Sequence, residues 1–474
     1  MTRLDAYNPV SDTWDPFRGE TVVPPSGSDR LGLFVTEAEL DVWRTRSVSG
    51  PYKVQGDVTS NSPGDWSRIV SWRNYFDANS LPIVTLTNPL QRGNMDIPHH
   101  TSNDHVSRVM CAAFHALITQ DTAMGAKVIN WLVEQATTPE MDFSNSSKFS
   151  SSAHPDEVFR VGEYLGALVQ TYDFVRVLGS TSSSQRATMT KWFVDAMAWA
   201  VPVMYNDANS QGFWTDRYTL NVNNSSDLGH DGTKTHSQGW LSTRQTRRYN
   251  NRKTCTFALA VLGGLLFDQP LRVQQGKQLW REWLAMGYWP DRDYGEMYRG
   301  DPSMTSNPEI GWSYTGQILG DLFLSMEALA RAGDTSLHTF TTRAGTPTAD
   351  GSACKTGDPD KNMLDVALGW AYYGNDVHNR YQGSSTLDNR IDGRNPRSGS
   401  SWRGHREIML AMPNKYYNHP HLNNGYLRLT SAGYPGYWSS PSSRITDEMG
   451  GRIGLPGVLF MFGGLESLHV YPGS

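Results

Sequence analysis

Cysteine is scarce in this chain. Its 474 residues hold three, Cys111, Cys255 and Cys354. An odd number at such wide spacing fits neither a disulfide framework nor a zinc site. An excess of positive charge is also missing. The 42 Lys and Arg are outnumbered by 47 Asp and Glu, for a formal charge of −5, which argues against nonspecific binding to nucleic acid or acidic membranes. No apolar run reaches transmembrane length, so no membrane partner is expected. No secretory apolar segment opens the chain. It is therefore expected to be either intracellular or a mature form whose signal has been removed, secreted or periplasmic in the second case. The GxSxG elbow, the Walker loop, HExxH and CxxC are absent. The pairs His99-His100 and His419-x-His421 have no matching Asp, Glu or Cys cluster, so no metal is expected. No repeat or heptad register stands out, and strand patterns are few.

What is present is the composition of a globular protein, 38% hydrophobic and 19% charged, with enough length for a large core. Aromatics reach 11%, with 16 Trp and 21 Tyr. Many fall in polar, Gly-rich segments such as GFWTDRY, GYWPDRDYGEMY and NKYYNHPHLNNGY. That placement suits stacking on sugar rings as well as ordinary packing.

Residues 1–35 are rich in Pro, Gly, Ser and Asp and predict an extended N-terminal arm; 36–474 is read as one domain. Thr36, with Glu39 three residues on, has the spacing of a capping box. It opens a helix to about residue 46, and another is predicted at 65–76. From Asp104 the pattern is helical: Val106, Val109, Met110, Ala113, Phe114 and Leu117 recur at spacings of three and four. A break at Gln120-Asp121 leads to a second helix. Pro155, followed by Asp156 and Glu157, suits a helix N-terminus. That helix ends near Gly179, and another runs from about 184 to 204. Further helices are predicted at 254–267, 271–286, 311–332, 362–373 and 454–468, with short strands at 407–412 and 426–429. Long polar segments, 205–250, 287–310 and 374–404, separate them, and connections of this length are usually functional. Ten to twelve helices, many as antiparallel pairs, fit an all-α fold. The expected form is an (α/α)n toroid: an incomplete barrel of inner and outer helices, with the long loops at one mouth. An ordinary multi-helical domain is the alternative.

The stretch 240–267 organises the rest. It opens on Trp240 and carries Arg244, Arg247, Arg248, Arg252 and Lys253, then becomes uncharged and apolar to Phe267. Asn250, Asn251 and Arg252 sit at the junction, where the free N–H groups of a helix start favour an anion. A capped helix behind a solvated basic loop is the plainer reading of the same stretch. Other candidate groups are Tyr298 and Arg299, Tyr314 in the first turn of its helix, His405, and His230 and His236 in the loop DLGHDGTKTH. Arg160, near the start of a core helix, is placed to hold a second carboxylate. Each of these also has an ordinary structural reading as a cap, a salt bridge or a core side chain. Taken together, Asn, Arg, Tyr and His without metal or organic cofactor match one reaction. In β-elimination from a polyuronate, Asn and Arg neutralise the carboxylate beside C5, a base removes the C5 proton, and a Tyr hydroxyl protonates the departing O4.

On PDEVFRVGEYLGALVQTYDFVR, YNNRKTCTFALAVLGGLLF and WSYTGQILGDLFLSMEALARAG, the chain resembles the α/α-toroid polysaccharide lyases, alginate and glucuronan lyases among them. In that family an Asn-Asn-His motif opens a core helix, and an Arg and then a catalytic Tyr follow. The resemblance implies that Asn250 and Asn251 bind and neutralise the substrate carboxylate with Arg299, which lies 47 residues after Arg252. It makes Tyr314 the proton donor. Arg252 stands where the family has His, so the base is either Tyr314 itself or another residue such as His405. Tyr314 also lies 15 residues beyond Arg299, farther than in the alginate lyases. The expected partner is an acidic polysaccharide. Two rivals remain. One is a glycoside hydrolase on the same toroid, for which Asp291, Asp293, Glu296, Asp301 and Glu309 supply carboxylates, including a hydrolase of unsaturated uronides. The other is a carbohydrate-binding protein without turnover.

Overall fold

The computed structural model describes residues 31–49, 65–84, 105–149, 155–210, 251–288, 294, 310–341, 361–380, 409–423 and 455–466. These are mostly helical, with two isolated β-bridges and no strand among the described residues. The helices are α1 (Glu37–Val48), α2 (Asp65–Ala78), α3 (His105–Thr119), α4 (Thr122–Thr137), α5 (Pro155–Val177), α6 (Ser183–Ser210), α7 (Asn251–Leu266), α8 (Pro270–Gly287), α9 (Ile310–Arg331), α10 (Met363–Arg380), α11 (Ala411–Tyr417) and α12 (Val458–Phe462).

Their boundaries follow local chemistry. The Thr36 hydroxyl accepts from the Glu39 N–H at α1, and the Asp121 carboxylate accepts from the Met124 N–H at α4. Each satisfies a donor that a helix start leaves open. Left-handed residues end the helices between tight turns: Gln120 after α3, Gly179 after α5, Asp268 after α7 and Gly333 after α9. One expectation is corrected. Residues 409–410 form a 3-10 turn and 411–417 a helix, in place of the strand expected at 407–412. The run is too short for periodicity to separate strand from helix. The closing helix is also only Val458–Phe462. The strand expected at 426–429 lies outside the described residues.

Neighbouring helices alternate in direction in a regular way. On α5, Gly162 abuts Cys255 and Thr256 of α7, and farther along Tyr172 stacks on Phe267, with ring centroids 5.8 Å apart. Both sequences advance together, so α5 and α7 are parallel. The pairs Asn251–Gln317 and Thr254–Asp321 make α7 and α9 parallel in the same way. Asn130–Gln185 and Met141–Trp192 align α4 with α6. In contrast, α8 runs against α7: Gly264 meets Val273, while Gly276 meets Phe257, Ala260 and Val261. Gly276 has no room for a side chain, since a Cβ there would lie 2.9 Å from the Phe257 carbonyl. Contacts also run in a closed order through α3, α5, α7, α9, α11, α12, α1 and back to α3, and α4, α6 and α8 each pack against members of that series.

The N-terminal segment is part of this packing. Leu33, Phe34 and Val35 are buried, the Leu33 N–H donates to Asp173 on α5 (2.6 Å), and Arg176 donates to the Leu31 carbonyl (2.8 Å). Glu39 of α1 then reaches the far end of α9. Arg331 grips its carboxylate with two hydrogen bonds of 2.5 Å, and Lys415 of α11 donates to it as well. Glu327 accepts from Arg331 (2.6 Å) and lies 3.5 Å from Lys415. All four side chains are fully buried, and their formal charges cancel. Beside them Trp43 and Arg46 of α1 donate to the carbonyls of Met461, Phe460 and Gly463, which ties in α12.

Burial alone would raise the Glu39 pKa, but Arg331 and Lys415 outweigh it and hold the carboxyl well below the usual carboxylate range. A depressed carboxyl stabilises the fold above its unfolded value of about 4.5 and loses that contribution as the pH falls below it. Glu39→Ala leaves one positive charge of the buried cluster uncompensated and should cost about 3–5 kcal/mol in urea denaturation. Buried His338, packed on Tyr416, works in a higher window. Burial lowers its pKa from 6.5 to about 4. The unfolded chain therefore binds the proton first as the pH falls from 6.5, and stability drops until about 4. His338→Phe should flatten that slope, removing up to roughly 3 kcal/mol of pH-dependent loss in unfolding free energies measured across the window.

Candidate functional site

Because α5, α7 and α9 are parallel neighbours, their N-terminal ends lie at one end of the helix set. Three helix starts there direct the positive ends of their dipoles the same way. Asn251 is the first residue of α7, Arg252 the second, Arg160 the sixth of α5 and Tyr314 the fifth of α9. The fold thus brings four residues singled out from the sequence to the same end of three packed helices.

Asn251 is fully buried, and its amide donates to the Gln317 side chain across the α7–α9 contact (2.6 Å). Gln317 is half-buried and lies one turn after Tyr314. A turn farther along both helices, the Thr254 hydroxyl donates to the buried Asp321 carboxylate (2.9 Å). Ser325 adds a hydroxyl hydrogen bond to the Asp321 carbonyl (2.8 Å). These polar rungs fix the height of the Tyr314-bearing turn relative to the start of α7. Asn250, Trp240, His230, His236, Tyr298, Arg299 and His405 lie outside the described residues. So do Asp291, Asp293, Glu296, Asp301 and Glu309, the carboxylates of the hydrolase reading.

Gln317, Thr254 and Asp321 were missed by the sequence reading. The available signal on α9 was a polar series at positions 314, 317 and 321, which is the spacing of one helix face. Some aromatics of the Gly-rich segments prove structural. Tyr288 and Tyr294 are buried, bridge to each other, and donate their hydroxyls to the carbonyls of Asp365 (2.8 Å) and Val366 (2.6 Å). They fix residues 288 and 294 against the start of α10. Similarly, the Tyr417 hydroxyl donates to the His338 carbonyl (2.8 Å). Cys111 and Cys255 are core residues, as their helical surroundings implied.

On another side of the helix set, α6 and the turns after α4 line an open cavity of about 300 Å³ with Phe143, Phe149, Asp195, Trp199, Pro202 and Val203. It contains none of the candidate residues. His419 and His421 stack on each other (centroids 5.4 Å apart), and no group of three metal-ligating side chains occurs among the described residues. No described helix is long and apolar enough to cross a membrane. Compared with family models, with curated proteins and with solved structures, the chain matches none.

Thr254→Val keeps the shape of the side chain but removes the donor to a buried carboxylate. It should destabilise the protein by about 1–3 kcal/mol in urea unfolding; an unchanged midpoint would show that the α7–α9 rung carries no energy.

Proposed function

We propose that the protein is a polysaccharide lyase that cleaves a (1→4)-linked polyuronate of the alginate or glucuronan type by β-elimination, on an (α/α)n toroid. The observation that carries this reading is the convergence of three parallel helix starts, bearing Arg160, Asn251, Arg252 and Tyr314, at one end. Helix N-termini and cationic residues favour an anionic ligand there even though the whole chain is acidic. The toroid reading is supported by parallel α5, α7 and α9, by α8 packed antiparallel against α7, and by the closed order of contacts.

In this mechanism Arg299 and the Asn pair lower the negative charge of the C5 carboxylate, so that proton loss at C5 does not build a dianion. Asn251 acts from a buried position, through Gln317 and the start of α7. The C5 proton passes to a base, Tyr314 or His405. The electron pair forms the C4=C5 double bond as the C4–O4 bond breaks, and the Tyr314 hydroxyl supplies the proton that O4 needs to leave.

The test is ultraviolet absorbance of the conjugated uronate while the protein is mixed with alginates and glucuronan. A rise identifies elimination and names the substrate. New reducing ends without absorbance would instead identify the hydrolase. Tyr314→Phe should lower kcat by about 10²–10⁴-fold with polymer binding retained, and near wild-type turnover would remove Tyr314 from the acid role. Arg299→Ala should raise KM and lower kcat together.

A further inference from the structure

The Asn251–Gln317 rung has a consequence for rate as well as for packing. Asn251 begins α7 and is fully buried, and the partner its amide reaches, at 2.6 Å, is Gln317 on the neighbouring parallel helix. Gln317 is half-buried at the same end and stands one turn from Tyr314. The second rung, Thr254–Asp321, sits deeper and is fully buried on both sides. The two rungs differ in position: the deeper one holds the helices together, and the outer one sets the last turn before the helix starts. Because α9 is a continuous helix, a shift at Gln317 is transmitted to Tyr314 through one turn of backbone.

We propose that Gln317 is a positioning residue for elimination: by accepting from Asn251 it fixes the height of the Tyr314 turn against the start of α7, where the substrate carboxylate is held. This rests on the lyase reading of the same end. It predicts a kinetic signature that simple loss of packing would not give. Ground-state binding of the polymer spreads over many contacts, whereas proton transfer depends on the placement of one hydroxyl. Misplacement by about 1 Å can cost on the order of 100-fold in rate. Removing the acceptor should therefore lower kcat and leave KM nearly unchanged. A variant that keeps the acceptor but adds negative charge should do the reverse.

The experiment uses the full chain and the polyuronate on which the wild type acts. Gln317→Met keeps length and removes the acceptor; kcat should fall at least about tenfold with KM within about threefold. Gln317→Glu keeps the acceptor; kcat should stay within about threefold, while KM rises and the rise shrinks with added salt, because a carboxylate now repels the polyanion. Asn251→Leu should lower kcat at least as much as Gln317→Met, since it removes carboxylate neutralisation along with the rung, and the double variant should be no slower than Asn251→Leu alone, because Gln317 acts through its bond to Asn251. Circular dichroism and thermal melts identify any variant that has unfolded, and Gln317→Glu serves as the folded control. Wild-type kcat in Gln317→Met, or additive losses in the double variant, would overturn the positioning role while leaving the lyase reading intact. A wild-type protein that eliminates no polyuronate would overturn both.

Discussion

Four buried charges decide how the ends of this chain meet. Glu39, Glu327, Arg331 and Lys415 come from α1, α9 and α11, with Glu39 lying 292 and 376 residues from Arg331 and Lys415, and all four are buried. An isolated buried ion is costly, so each side chain is tolerable only if the other three are in place. This makes the cluster a constraint on assembly more than a source of net stability. Helix α1 cannot drift from α9 without stranding Arg331, and α11 cannot leave without stranding Glu39. The hydrogen bonds from Trp43 and Arg46 extend the same constraint to α12. The closed order of helix contacts depends on this junction, because it is where the first described helix meets the last ones.

The cluster and the candidate site occupy opposite ends of one helix. Gln317 stands near the start of α9 and Arg331 is its last residue, about 20 Å apart along a straight helix. A rod fixed at its far end by paired charges can hold its near end in register with modest hydrogen bonds. The two rungs between α7 and α9 do this work, and the close contact of Gly162 with Cys255 and Thr256 aligns α5 beside them. The register of the helix starts at one end is thus supported by electrostatics at the other.

Much of this was legible in the sequence where the signal is local. The capping pattern at Thr36, the breaks at Gln120 and Gly179, the start of α5 at Pro155 and the position of Tyr314 near a helix start all follow from short-range chemistry. Glu39 shows the limit. Its spacing from Thr36 marks it as a capping partner, and the Thr36 hydroxyl does meet it (3.0 Å), but its decisive partners lie 292 and 376 residues away. Nothing in a local pattern encodes them. The 409–417 segment failed for another reason: a short apolar run has the same appearance in a strand and in a buried helix, and tertiary packing chose the helix. At the candidate site, residue types drew attention to Asn251 and Tyr314, whereas the Asn251–Gln317 contact is legible only once α7 and α9 are known to be parallel.

That parallel arrangement also explains why buried polar pairs recur between the helices. Apolar faces rich in Ala, Gly and Leu pack nearly as well after a slide of one turn, because small side chains give little register. A hydrogen-bonded pair does not, since a slide of one turn leaves a buried donor or acceptor unmatched. Asn251–Gln317 and Thr254–Asp321 penalise such a slide between α7 and α9. Gln135 does so between α4 and α5, where it accepts from the Tyr164 hydroxyl (2.7 Å) and from the Val84 N–H (2.8 Å). A site assembled from the starts of separate helices requires this, because it is only as accurate as their relative heights. The buried polar groups are therefore placed where specificity of register matters most, and the apolar remainder supplies the cohesion.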